Sequence, residues 1–241
     1  MKKLLFSLIA AFLCVATVNA QLVGVVVESA NDGSQKVAQG ALGATAFCPG
    51  ADLTPQPAGT TTYRVYAELQ DTDDFLSAMF GIPAAGANPT CYPLAVNTTT
   101  SFFNSAIGHA DGTGIIEAAC GSFPDVYYDS FMTIGRELSD DPGAVGNQWS
   151  ANPFTGPFSA GVGNVLGTDG AIFATNGSPN GLPTGPNNRV LLGQFTTDGD
   201  LSFNINVNVF DGGDGVGGNL QYIAYDLDNT DCAVPGTAID G

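Results

Sequence analysis

The chain has 241 residues with 6 Lys and Arg against 23 Asp and Glu, a formal net charge of −17 at pH 7. Such a field repels polyanions, which excludes nucleic acid and anionic lipid surfaces as partners. Hydrophobic residues make up 44%, too many for general disorder, and 32 glycines among many Thr, Asn and Asp favour strands and turns over helices.

Residues 1–20 read as a secretory signal. Lys2 and Lys3 precede an apolar run over residues 4–18, and Val18-Asn19-Ala20 offers small residues for cleavage. Cys14 fills the apolar run, because Phe12-Leu13 does not suit a lipidation motif. Removal of this segment leaves Lys36, Arg64, Arg136 and Arg189 as the basic residues, and it places the chain outside a bacterial cell or at its surface. No later segment reaches the ~18 consecutive apolar residues of a membrane span. Cys48, Cys91, Cys120 and Cys232 then read as two disulfides, with three pairings open. Cys91 with Cys120 around one excursion, and Cys48 with Cys232 joining the ends of the domain, is the first choice. No CxxC pair supports zinc.

Residues 22–29 (LVGVVVES) form a β-branched opening strand. Residues 61–69 alternate, with Tyr63, Val65, Ala67 and Leu69 on one face and Thr62, Arg64, Tyr66 and Glu68 on the other. An acidic turn at 71–74 leads to a strand at 75–80, a Pro-, Gly- and Ala-rich loop at 83–89, and a strand candidate at 98–103 (TTTSFF). Residues 109–114 are a turn, 115–119 one helical turn, and 125–134 (DVYYDSFMTI) a further alternating strand. A long Gly-, Pro- and Asn-rich stretch, 139–186, is interrupted only by an apolar piece at 171–175. Residues 189–197, the turn Asp198-Gly199-Asp200 and residues 201–210 read as a β-hairpin, and 220–225 as a last strand. Leu201, Phe203, Ile205, Val207 and Val209 share the core face of the second arm. The expectation is an all-β, antiparallel, jelly-roll-like two-sheet sandwich over 21–228, followed by an acidic tail or the start of a truncated segment at 229–241.

Three kinds of site suggest themselves. Asp211, Asp214, Asp226, Asp228 and Asp231 gather near the C-terminus, a composition suited to calcium, which takes six to eight oxygens; Asp71, Asp73 and Asp74 form a smaller cluster. The run at 226–231 begins like an EF-type loop and departs from it where Asp231 replaces the glycine and Thr237 the bidentate glutamate. Solvated turns are the competing reading. The even row Asn204, Asn206 and Asn208 suits sugar hydroxyls or a mineral or ice lattice, or is an ordinary solvent face. Trp149, in the long loop, is a candidate glycan platform, with Tyr127, Tyr128, Phe154 and Phe158 as further aromatics. Catalysis finds less support: His109 is the only histidine, there is no G-x-S-x-G elbow, no spacing selects a carboxylate pair, and no phosphate loop is present.

The stretches TYRVYAELQDTDDFLSAMFG, YYDSFMTIG and NRVLLGQFTTDGDLSFNINV, in that order, resemble a secreted all-β domain of environmental bacteria, especially marine Bacteroidota and planctomycetes. The resemblance covers residues 22–226 and implies a surface or exported, modular, non-enzymatic setting. It carries no site residues with it. The expected function is therefore a secreted binding or structural protein of the cell surface, matrix or filaments, whose partners are extracellular glycan, matrix or its own copies. The alternatives are a carbohydrate-binding module using the 139–186 loop and a secreted hydrolase.

Overall fold

The computed structural model describes residues 22–30, 56–81, 94–119, 122–137, 145–150, 155–167, 170–213, 219–225 and 238–239. Twelve strands are present among the described residues: β1 Leu22–Ala30, β2 Thr61–Leu69, β3 Phe75–Phe80, β4 Leu94–Thr98, β5 Phe131–Met132, β6 Gln148–Ser150, β7 Asn164–Gly167, β8 Ala171–Phe173, β9 Arg189–Thr197, β10 Leu201–Phe210, β11 Asn219–Tyr225 and β12 Ala238–Ile239. One five-residue α-helical turn, α1 Thr155–Ser159, and several 3-10 turns join them. The first sheet runs β1-β2-β9-β5. The second runs β12-β11-β10-β3-β8-β6, with β4 also on β10 and β7 beyond β4. Pairing is antiparallel except between β11 and β12. No helix among the described residues is long and apolar enough to cross a membrane.

The two sheets share an apolar core, so the fold is sandwich-like. Val65, Ala67 and Leu69 of β2 and Val190 and Leu192 of β9 meet Met79, Ile172, Ile205, Val207 and Val209 of the second sheet. The alternation in β2 and β10 set these faces, because successive side chains of a strand point to opposite sides. The other face of the first sheet is not left to water. Tyr66, Leu191 and Phe131 of the sheet pack there against Ile115, Val126, Tyr127 and Tyr128, which the chain between β4 and β5 supplies. Around β2, β9 and β5 the first sheet is thus a middle layer, which is why eight of the nine residues of β9 are buried with no alternation, while the edge strand β1 keeps Val23 and Val27 exposed.

Several sequence expectations change. The arms at 189–197 and 201–210 are strands, but not a hairpin. β9 pairs with β2 and β5 in one sheet, while β10 pairs with β3, β4 and β11 in the other. Asp198-Gly199-Asp200 is therefore an arch between sheets. Residues 70–74 make a second arch, from β2 to β3. The strand expected at 98–103 lies at Leu94–Thr98, and beyond it only Phe102 bridges to Thr197. The strand expected at 125–134 is a 3-10 turn at Pro124–Tyr128 followed by the two residues of β5. Pro124, at the start of that turn, has a fixed φ and no N–H to lose, which suits a helical start over a ladder. The 139–186 stretch contains β6, β7, β8 and α1.

Candidate functional site: a hydroxyl-lined cleft at the arch

The β9–β10 arch is held by threonines. Thr197 Oγ donates to Ser101 O at 2.9 Å and receives Gly199 N at 3.0 Å. Its hydroxyl also lies 2.7 Å from Thr98 Oγ and 3.1 Å from Thr100 Oγ. Thr100 Oγ donates to Asp198 Oδ1 at 2.5 Å, and Asp200 N donates to Thr99 Oγ at 3.0 Å. Thr98 still pairs with Leu201 as the last residue of β4, and Thr99 and Thr100 turn out of the ladder beyond it to cap the arch.

Beside this hub opens a cleft of about 460 Å³, lined by Thr60, Ser101, Phe102, Phe103, Asn104, Ser159, Ala160, Gly161, Thr197 and Asp198. Its base is rigid. Phe102 contacts Phe158 and Phe195 at ring distances of 5.5 and 6.0 Å, and Phe158 stacks on Phe195. Phe102 N donates to Gly161 O at 3.2 Å, and Asn104 Nδ2 donates to Phe158 O. Phe103 N donates to Thr196 O at 2.7 Å, and its carbonyl accepts the Ser130 hydroxyl at 2.7 Å. Phe103 itself is half-buried. The cleft offers short hydroxyls, an amide, a phenyl ring and one carboxylate.

The described cations are committed elsewhere. Arg64 and Arg136 are buried. Arg64 pairs with Glu137 at 2.7 Å. Burial alone would lower the Arg64 pKa, but Glu137 and Tyr66 outweigh it and hold it above its usual range. Arg189 spans Glu28 at 2.6 Å and Glu68 at 3.1 Å. The cleft therefore presents the exposed Asp198 with no described cation in its lining.

Besides Glu137, two further described carboxylates are buried in the layer over the first sheet. Asp111 Oδ1 accepts Thr113 N, Thr113 Oγ and Asn147 Nδ2 at 2.8 to 2.9 Å, and Oδ2 accepts Trp149 Nε1 at 2.7 Å. Asp129, 1% exposed, accepts Ser105 N at 2.9 Å and His109 N at 2.8 Å. Burial pushes Asp129 up to about 7, against the pull of those N–H groups. The His109 ring is exposed, and its Nδ1 lies 3.0 Å from Asp111 N.

The residues singled out from sequence fall as follows. Trp149 lies on β6, half-buried against the main core, and is tied to Asp111 away from the cleft lining. Asn206 is 1% exposed and its amide donates to Phe80 O at 2.7 Å, so the row 204–208 is no open lattice face. Asn208 Nδ2 donates to Ser77 Oγ at 2.8 Å, and Asn204 is half-buried. Tyr127, Tyr128 and Phe158 are core residues. Asp211 approaches the 71–74 arch: burial raises the Asp74 carboxyl, backbone donors from Asp71 and Gly212 oppose it, and the Asp71 and Asp211 charges add to it. No three carboxylates, histidines or cysteines among the described residues gather as a metal site. Asp214, Asp226, Asp228, Asp231, Cys48, Cys91, Cys120, Cys232 and Phe154 lie outside the described residues. Sequence reasoning missed Phe103, Asn104 and the threonine hub. Their signal was the run TTTSFFN, which mixes short hydroxyls with an aromatic pair.

Comparison with models of known protein families, with curated proteins and with solved structures found no match to this chain.

Proposed function

We propose that this chain is an exported, non-catalytic binding protein of the bacterial surface or extracellular matrix, and that its cleft takes a neutral, hydroxyl-rich segment such as a glycan chain. The carrying observation is the cleft's composition: fixed hydroxyl and amide groups around a half-buried Phe103, with Asp198 present and no described cation in the lining. Sugar hydroxyls both donate and accept, so they suit Thr, Ser and Asn side chains, while a ring face covers the apolar side of a pyranose. Polyanionic glycans are disfavoured by the acidic surface. The signal-like residues 1–20 support export. A neutral-glycan array, followed by calorimetry on the best hit, tests this reading. Phe103→Ala and Asn104→Ala are expected to weaken binding by about ten-fold each, the scale of a lost ring contact or hydrogen bond. Binding that ignores both substitutions but is lost in Trp149→Phe would move the site to β6 and overturn it.

A further inference from the structure

Two Asn-Gly pairs stand in one loop, Asn176-Gly177 and Asn180-Gly181, and the fold treats them in opposite ways. Asn176 and Gly177 are both exposed, at the centre of a turn closed by Ser178 N donating to Thr175 O at 2.9 Å. Gly177 has φ +80°, and an added Cβ there would meet nothing within 4 Å. The Asn176 side chain makes no hydrogen bond to any described residue.

Asn180 is buried and held at both ends of its amide. Its Nδ2 donates to Val145 O at 2.7 Å, and Val145 N donates to its Oδ1 at 3.2 Å. It belongs to the 3-10 turn Pro179–Gly181. That turn is pressed on two sides. A Cβ on Gly135 would stand 1.8 Å from Asn180 O, and a Cβ on Gly181 would stand 2.4 Å from Leu76 O.

From this contrast we propose that Asn176 is a site of spontaneous deamidation, and that the fold shields Asn180 from the same reaction. The Gly177 amide nitrogen, having lost its proton to solvent base, attacks Asn176 Cγ. A bond forms between that nitrogen and Cγ, the Cγ–Nδ2 bond breaks, and the side-chain nitrogen leaves as ammonia. Water then opens the five-membered imide at either carbonyl, giving aspartate or isoaspartate. Water is the only co-reactant. The step needs a following residue without a side chain, which both pairs supply. It also needs the asparagine free to swing its Cγ onto that nitrogen, which only Asn176 is. At Asn180 the swing breaks both bonds to Val145 and lifts the turn off Gly135 and Leu76, so it waits for local opening. Each conversion adds a negative charge to an already acidic chain. The isoaspartyl product also lengthens the backbone just before buried Ser178.

The experiment ages the purified chain in mildly alkaline buffer, natively and in denaturant, and sequences peptides by electron-transfer mass spectrometry. That readout locates a gain of one mass unit and separates isoaspartate from aspartate. In the native chain, Asn176 is expected to convert at least about ten-fold faster than Asn180. In denaturant the two are expected to convert at similar rates, and Asn176→Gln abolishes the gain at 176 while leaving the native circular dichroism unchanged. Native conversion of Asn180 keeping pace with Asn176 would overturn the proposal. So would a native Asn176 that stays intact over the time in which both sites react in denaturant.

Discussion

Arg64 and Glu137 meet at 2.7 Å with both side chains almost fully out of water, over the outer face of the first sheet. Arg64 Nε also donates to Tyr66 Oη at 3.0 Å. Taking two charges out of water is costly, and their attraction repays it only while both are present. Glu137→Gln leaves the guanidinium buried and uncompensated. It is expected to lower stability by about 3–5 kcal/mol in urea denaturation, whereas Arg64→Met with Glu137→Leu together cost much less. Asp129 makes a second prediction at this scale. Its carboxyl is pushed from 3.8 up to about 7, first by burial, with Ser105, His109 and Ser130 N–H groups opposing and Asp125 adding. A folded-state value above the unfolded one means that ionisation is harder in the folded chain. The stabilising contribution is therefore full below about pH 4 and is lost as pH rises toward about 7. Denaturant titrations across that window should show the advantage of the native chain over Asp129→Asn shrinking as pH rises. A constant gap would mean that Asp129 is ionised throughout.

The arch between β9 and β10 shows what alternation can and cannot say about an element. Each arm was legible, because Leu201, Phe203, Ile205, Val207 and Val209 fall on one face and bury together. The partner of each arm was not legible. A short Asp-Gly turn between two strands reads the same whether the arms pair or part. Here the threonine hub decides the matter through contacts with residues about a hundred positions away. The middle-layer role of β9 did leave a trace: RVLLGQFTT carries adjacent leucines and does not alternate, as expected of a strand buried on both faces. The covering layer left little. DVYYDSFMTI alternates well enough to pass for a strand, and only Pro124 hinted otherwise. The cleft was hidden because its residues come from four separated segments, and because the single Trp drew attention to β6. Thr197→Val tests the arch. It keeps the shape, removes the oxygen that accepts Gly199 N, and deprives Ser101 O of its donor. The expected loss is about 1–3 kcal/mol in thermal or urea unfolding, with a matching loosening of the cleft that Thr197 lines.

Across the whole molecule, the layer over the first sheet is tied in at several independent points. Leu191 faces that layer while its neighbour Leu192 faces the main core. Gln194 Nε2 donates to Tyr127 O and Asp129 O at 3.0 and 2.9 Å, so one side chain of β9 holds the end of the Pro124–Tyr128 turn. Gly135 N and Thr133 N donate to Leu191 O and Leu192 O. The Trp149–Asp111 bond joins the same layer to an edge of the second sheet. A layer anchored through a strand that also builds the main core has no way to open while leaving that strand intact. Unfolding is therefore expected to be a single transition. Trp149 fluorescence reports the β6 edge, and near-ultraviolet dichroism reports the Tyr127–Tyr128 pair, whose rings meet edge to face at 5.1 Å. The two signals should share one urea midpoint. Leu191→Ala, which empties a site in the outer cluster, should move both midpoints together by an amount equivalent to about 2–5 kcal/mol. A tyrosine signal that melts first, with Trp149 unmoved, would instead make the covering layer a unit of its own, clipped to the two sheets and free to open from them.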